Sequence, residues 1–159
     1  MRVLVVGNSG SGKSTYARML EARHALVRLD LDTIVWEPGR IAVPRPAEAV
    51  ASDLLAFVER EPRWVVEGCY GDLVETALPF CKQLVFLDPG LAACLANNLR
   101  RPWEPHKYAR KEDQDANLAA LQAWVAEYYT RTDACSHAWH RRVFDAFAGE
   151  KVLLKTSEP

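Results

Sequence analysis

The first fifteen residues constrain this chain most. The apolar run MRVLVV enters GNSGSGKST, so that Gly7, Gly12, Lys13 and Ser14 satisfy the pattern GxxxxGK[ST] between a strand-like and a helix-like segment. Glycines at 7, 10 and 12 allow backbone angles that turn successive N–H groups inward around a phosphate. The helix starting near Gly12 aims the positive end of its dipole at the same point. Lys13 is placed to neutralise β- and γ-phosphate charge, and the Ser14 hydroxyl to coordinate Mg²⁺. The residues expected to hold ATP are therefore Gly7, Asn8, Ser9, Gly10, Ser11, Gly12, Lys13, Ser14 and Thr15. A glycine-rich turn that matches by chance is the bland alternative, and the complete motif in its required context argues against it.

Behind this loop, apolar runs alternate with helix-period segments to the end of the chain, the pattern of a parallel α/β sheet. Strands are expected at Arg2–Val6, Ala25–Leu29, Arg63–Glu67, Gln83–Leu87 and Lys151–Leu154. Helices are expected at about Gly12–Arg23, Pro46–Arg60, Asp72–Pro79, Gly90–Arg101, Glu112–Thr130 and His137–Phe147. The stretch EPGRIAVPRP, with three prolines and a glycine, reads as a loop. Leu118, Leu121, Val125 and Tyr128 recur at helical spacing, and Trp124 extends that face, which reads as core. A length of 159 residues suits one domain with a real core.

Charge narrows the partners. With 20 basic and 21 acidic residues and a pI near 6.4, the chain has no global field to hold a polyanion. No apolar run approaches the roughly 20 residues of a membrane span. The N-terminus shows no signal-peptide pattern, and Cys69, Cys81, Cys94 and Cys135 show neither CxxC nor zinc spacing. A cytoplasmic protein with reduced thiols is expected. His137 and His140 form an HxxH pair without a second ligand pair, which reads as helix surface or core.

Three acids stand near strand ends, where ligands of α/β sheets gather. In RLDLDTIVW, Asp30 and Asp32 lie two apart and would face the same way on a strand. Either carboxylate could take a proton from an acceptor hydroxyl or bind Mg²⁺ through water; the alternative is a helix cap. In WVVEGCYG, Glu67 could hold a Mg²⁺-bound water and Tyr70 wall an acceptor pocket; the alternative for Glu67 is a surface ion pair. Asp88, closing QLVFLDPG, reads equally as a metal-site acid or as ordinary turn chemistry before Pro89.

These pieces in this order resemble the small P-loop kinases of the adenylate-kinase-like and shikimate-kinase-like group. VVEG sits where nucleoside monophosphate kinases carry aspartate-glycine, and VFLDPGLAACLANNLRR where they carry a strand and a helix ending in paired arginines. RKEDQDANLAALQAWVAEYY looks like their segment after the lid. DLDTIVWEPG with VVEGCYG is most similar to a bacterial branch of adenylate-kinase-related "DNA topology modulation" proteins, whose aspartate before a hydrophobic, a tryptophan and Pro-Gly corresponds to Asp32. The resemblance implies a P-loop NTPase fold with five parallel strands in the order 2-3-1-4-5 flanked by helices. It also implies an acceptor side at about residues 30–62 and a short lid at about 102–110. Where adenylate kinases carry Phe-Pro-Arg this chain has Cys69, Tyr70 and Gly71, so their arginine contact to AMP is missing.

The resemblance also gives the segment RRPWEPHKYARK a ligand. Five of its twelve residues are basic and one is acidic. Arg100, Arg101 and Arg110 take the lid positions of that group and suit bidentate contact with a transferred phosphoryl group. A solvated loop and a nucleic-acid patch, with Trp103, His106 and Tyr108 stacking on bases, are the alternatives; one loop is a small footprint for a polyanion. The expectation is an ATP- and Mg²⁺-dependent phosphotransferase acting on a small-molecule or nucleotide acceptor. Lys13, Asp32, Arg100, Arg101 and Arg110 would be catalytic, Ser14 and Glu67 would set the metal, and Asp30, Asp32, Trp36, Arg40, Gly68 and Tyr70 would face the acceptor. An ATP-binding regulator with slow ATPase activity is the alternative.

Overall fold

Val3, Leu4, Val5 and Val6 are apolar on both faces of the strand they form, so that strand needs a layer on each side. In a computed structural model of the chain, which describes residues 1–40, 43–105 and 107–156, it is the centre of the sheet. β1 (Arg2–Gly7) pairs in parallel with β3 (Trp64–Gly68) and β4 (Gln83–Leu87). β2 (Val27–Asp30) lies outside β3 and β5 (Glu150–Leu154) outside β4, both parallel, giving the order β2-β3-β1-β4-β5 that the resemblance implied. The helices are α1 (Lys13–His24), α2 (Asp32–Val35), α3 (Ala47–Arg60), α4 (Gly71–Ala77), α5 (Leu91–Leu99), α6 (Lys111–Ala126) and α7 (His137–Ala146). Among the described residues no helix is long and apolar enough to cross a membrane.

The alternation of side chains along each strand builds two cores. Leu4, Val6, Trp64 and Phe86 pack beneath α3, α4 and α7, against Leu54, Val74 and Val143. Val3, Val5, Val65 and Val85 face the other way, onto Ala17 and Leu20 of α1. Each such aliphatic side chain contributes roughly 1.5–3 kcal/mol by leaving water. The register then aligns the carboxyl ends: Val5 lies beside Glu67, Gly7 beside Leu87, and Asp30 beside Glu67. That edge is where the site forms.

Several expected boundaries move for local reasons. The second strand starts at Val27, because Ala25 caps α1 in a left-handed conformation with φ 50°. Pro79 falls in a 3₁₀ turn, Leu78–Phe80, rather than in α4. The fourth of the expected helices stops at Leu99 and the fifth at Ala126, where the chain goes into turns. Asp30 and Asp32 do not share one face of a strand: Asp30 ends β2 and Asp32 begins α2, a short helix absent from the sequence reading. Within the expected loop, Trp36 bridges Pro44 and Glu37 N–H donates to Val43 O at 2.8 Å; Ile41 and Ala42 lie outside the described residues, as does His106.

Candidate active site

The glycine loop is held from below by α5 and α6. Gly10 has φ 79°, and a Cβ there would meet Cys94 O at 2.3 Å, so only glycine fits. Asn97 Nδ2 donates to Gly10 O at 2.9 Å, and Asn8 Nδ2 to Val125 O at 3.3 Å. Asn8 Oδ1 accepts from Ser9 N–H at 2.8 Å, and Asn8 O accepts from Lys13 Nζ at 2.7 Å. The lysine is thus curled back over the loop. Gly7 ends β1, Gly12 caps α1 and Ser11 is fully buried, so these three shape the loop, while Thr15 is exposed on α1.

A cavity of about 790 Å³ opens above Ser9, Lys13 and Ser14, a volume suited to small ligands. At its floor Glu67 is only 2% exposed, so the ion pair it makes with Arg28 is a buried one rather than the surface pair that was the alternative. Arg28 Nη1 stands 3.7 Å from Glu67 Oε1, and among the described residues no donor hydrogen-bonds that oxygen. Burial, then the neighbouring Asp30 charge, push the Glu67 carboxyl above the usual range, against Lys13 and a hydrogen bond with Ser14. A buried carboxylate oxygen without a donor beside a serine hydroxyl is what a divalent cation would relieve, so Ser14 and Glu67 fit Mg²⁺. Among the described residues no group of three or more His, Cys, Asp or Glu could hold a metal alone, but Mg²⁺ shared with phosphates needs only one or two protein ligands.

Leu31 fixes the opposite wall. It is fully buried, its N–H donates to Glu67 O at 2.9 Å, and it packs where a Cβ on Gly68 would come within 2.8 Å of its Cδ1. Asp32, the next residue, reaches the cavity. Its Oδ1 accepts the Tyr70 hydroxyl at 2.5 Å and its Oδ2 the Lys107 ammonium at 2.5 Å, while Asp30 Oδ1 accepts Asp32 N–H at 3.0 Å. Burial works to raise the Asp32 carboxyl, yet Lys107, Tyr70 and Lys13 outweigh it and hold it below its ordinary value. Burial works to lower Lys107, and Asp32 with Glu104 outweighs that and raises it. The pair is therefore ionised.

The basic segment contributes differently from what its arginines promised. Arg101 does arrive: its Nη2 donates to Ser9 Oγ at 3.2 Å and its Nη1 pairs with Glu104 at 3.3 Å. Arg100 is exposed at the end of α5, and Arg110 is 71% exposed and bound to Asp113 at 2.8 Å, outside the cavity wall. Lys107 takes the central position instead. In the sequence nothing but its place in the basic segment marks this lysine, since bidentate phosphate contact favours the neighbouring arginines. The wall is completed by Trp36 with exposed Arg40 at the rim, and by Tyr108, Asn117, Leu121 and Trp124. Trp124 was read as core and is not: it lines the cavity, with Arg131 stacked 3.7 Å from its ring centroid.

Two groups weighed in the sequence stand aside. Asp88 accepts Tyr129 Oη at 2.5 Å and Lys155 Nζ at 2.6 Å, so its carboxylate ties strand ends together. His140 is fully buried; a carbonyl only accepts, so Nε2–H donates to Cys69 O at 2.7 Å and Nδ1 accepts the Tyr128 hydroxyl at 2.9 Å. Burial pushes the imidazole down to about 3 from 6.5. Between those values the unfolded chain binds the extra proton, so stability is full above about pH 6.5 and falls toward pH 3. This group alone should cost roughly 3 kcal/mol between about pH 7 and pH 4. Denaturant titrations of the wild type and His140→Gln should show a flatter pH slope in the variant; equal slopes would refute this.

Comparison with known proteins fits the geometry. No curated protein matches the sequence. A shikimate kinase from Aquifex aeolicus superposes with a TM-score of 0.53 at 16% identity, covering 100% of this chain and 87% of that one. An unliganded sugar kinase from Janibacter sp. gives 0.54 at 15% identity, covering 96% and 83%. At such identities the likeness is one of fold, a P-loop kinase-like fold. A family model described as an AAA domain matches residues 3–146, from the first strand through the last helix, and to that family the chain belongs.

Proposed function

We propose that the chain is an ATP-dependent phosphotransferase that moves the γ-phosphoryl group to a small acceptor held over Asp32. The observation that carries this reading is one cavity lined both by Lys13 and Ser14 and by Asp32, Trp36 and Tyr70. Lys13 would exchange the Asn8 carbonyl for phosphate oxygens, and the loop amides would hold the rest of the polyphosphate. Mg²⁺, when bound by Ser14 and through Glu67, would neutralise phosphate charge. Residues 102–110 would act as a lid over the acceptor side at residues 30–62, with Arg101 nearest the loop and Arg100 and Arg110 needing a rearrangement to reach it.

Lys107 adds a proton-transfer device. While it binds Asp32 the carboxylate is a weak base; when it turns to the incoming phosphoryl oxygens, burial raises the basicity of Asp32 as the acceptor hydroxyl must lose its proton. In Lys107→Met the lowering cation is gone, so the Asp32 carboxyl rises and the acid limb of the kcat/KM profile should move to higher pH. An unmoved limb would remove Lys107 from this role.

The acceptor side sets Asp30, Asp32, Glu37 and Glu104 against the exposed Arg40 at the rim, while Lys107 and Arg101 are already paired. That balance favours a hydroxylated acceptor with an apolar part over a nucleoside monophosphate. The same pairing, with Lys111 on Asp115 as well, supports a small charged ligand over a nucleic acid. A transfer screen with labelled ATP and Mg²⁺ against nucleoside monophosphates and hydroxylated metabolites tests this. One acceptor from the second panel should be labelled, and at least about 10²-fold more slowly by Lys13→Ala. Basal hydrolysis with every acceptor, together with partner binding that differs between ATP and ADP, would replace the kinase by a regulator.

A further inference from the structure

Cys69 follows β3 and Cys135 precedes the Ser136 cap of α7, and one backbone bond and one imidazole bond tie the first stretch to the segment around α7. Gly71 N–H donates to Ala134 O at 2.8 Å, and His140 Nε2–H to Cys69 O at 2.7 Å. The two thiols interact directly, both are free and half-buried, and both line the cavity. Nothing in the phosphoryl-transfer reading uses them. The other two cysteines are buried, and burial pushes their thiols up to about 11.

We propose that Cys69 and Cys135 form a dithiol site open to the cavity that takes a low-molecular-weight disulfide and closes to a reversible Cys69–Cys135 disulfide. One of the two thiolates attacks one sulfur of RSSR; that S–S bond breaks and the first RS⁻ leaves, taking up the proton the attacking thiol lost. The second cysteine sulfur then attacks the first, the mixed disulfide breaks, and the second RSH leaves with the proton of that second thiol. Two protein thiols lose two electrons and one RSSR becomes two RSH.

The site stands without the kinase reading; only its consequence rests on it. Tyr70 adjoins Cys69 and holds Asp32, so drawing Cys69 onto Cys135 would re-aim the hydroxyl that positions the acid.

The test reads mass rather than activity, so its failure is separate from failure of the kinase reading. The full native chain is treated with oxidised glutathione, alkylated, digested without reductant and analysed by mass spectrometry. The expected product is a Cys69–Cys135 linked peptide, lost on adding dithiothreitol, with Cys81 and Cys94 alkylated only after denaturation. Cys135→Ser should stop at a stable glutathione adduct on Cys69. Cys69→Ser should likewise stop at a glutathione adduct on Cys135, with no linked peptide. The wild-type linkage needs no variant to fold. A wild-type chain that carries glutathione on either cysteine without the linked peptide, or that stays unmodified, would overturn the proposal.

Discussion

Exchanging Lys13 for alanine is expected to lower phosphoryl transfer by about 10²–10³-fold or more, the loss measured when one fixed donor to developing charge is removed. The lysine is almost buried at the start of α1, its ammonium 2.7 Å from Asn8 O inside the loop. No other residue of the loop carries positive charge, so the amides alone would face the phosphates. The fold should survive, since neither core contains Lys13 and Asn8 O keeps the Ser11 N–H at 3.2 Å. Initial transfer rates beside thermal melting check this. A variant that melts like the wild type and transfers at the wild-type rate would leave the glycine loop without a catalytic role.

Asp32→Asn should lower kcat by about 10²–10⁴-fold, the range for a positioned general base, while nucleotide affinity holds. The amide oxygen can still accept the Tyr70 hydroxyl, so the acceptor wall keeps its shape. What goes is the negative charge that holds Lys107 and takes the proton. The two variants therefore separate the halves of the site: Lys13 governs nucleotide and transfer, Asp32 transfer alone. Steady-state kinetics beside calorimetric nucleotide titration would tell them apart. Wild-type kcat in Asp32→Asn would remove the acid from the chemistry.

What the sequence disclosed follows the range of the forces involved. The glycine loop was legible because its chemistry is local: strand, turn and helix lie within fifteen residues, and the positive φ of Gly10 and Gly12 needs no distant partner. The strand order came with the resemblance, and the two-faced apolar pattern of β1 agrees with it. Asp32 was named, but its placement was not, because α2 depends on Leu31 packing against Gly68, a contact across the sheet. The basic segment was recognised as a whole, yet its tertiary path decides which cation enters. Asp113 lies three residues beyond Arg110 and draws that arginine outward, leaving Lys107 to meet Asp32. Trp124 shares the helical period of a core face, and period alone does not say whether that face meets protein or a cavity. Cys69 and Cys135 are far apart in the sequence, and no spacing could have announced that they share one cavity wall.

The reading of this chain depends on a nucleoside triphosphate seated in the glycine loop beneath Lys13. Isothermal titration of the wild type and Lys13→Ala with Mg²⁺ and a non-hydrolysable ATP analogue measures that directly. One saturable site is expected for the wild type, and affinity about 10–100-fold weaker for the variant, the worth of one charge-assisted hydrogen bond. No heat with the wild type, or equal affinity in the two proteins, would contradict it.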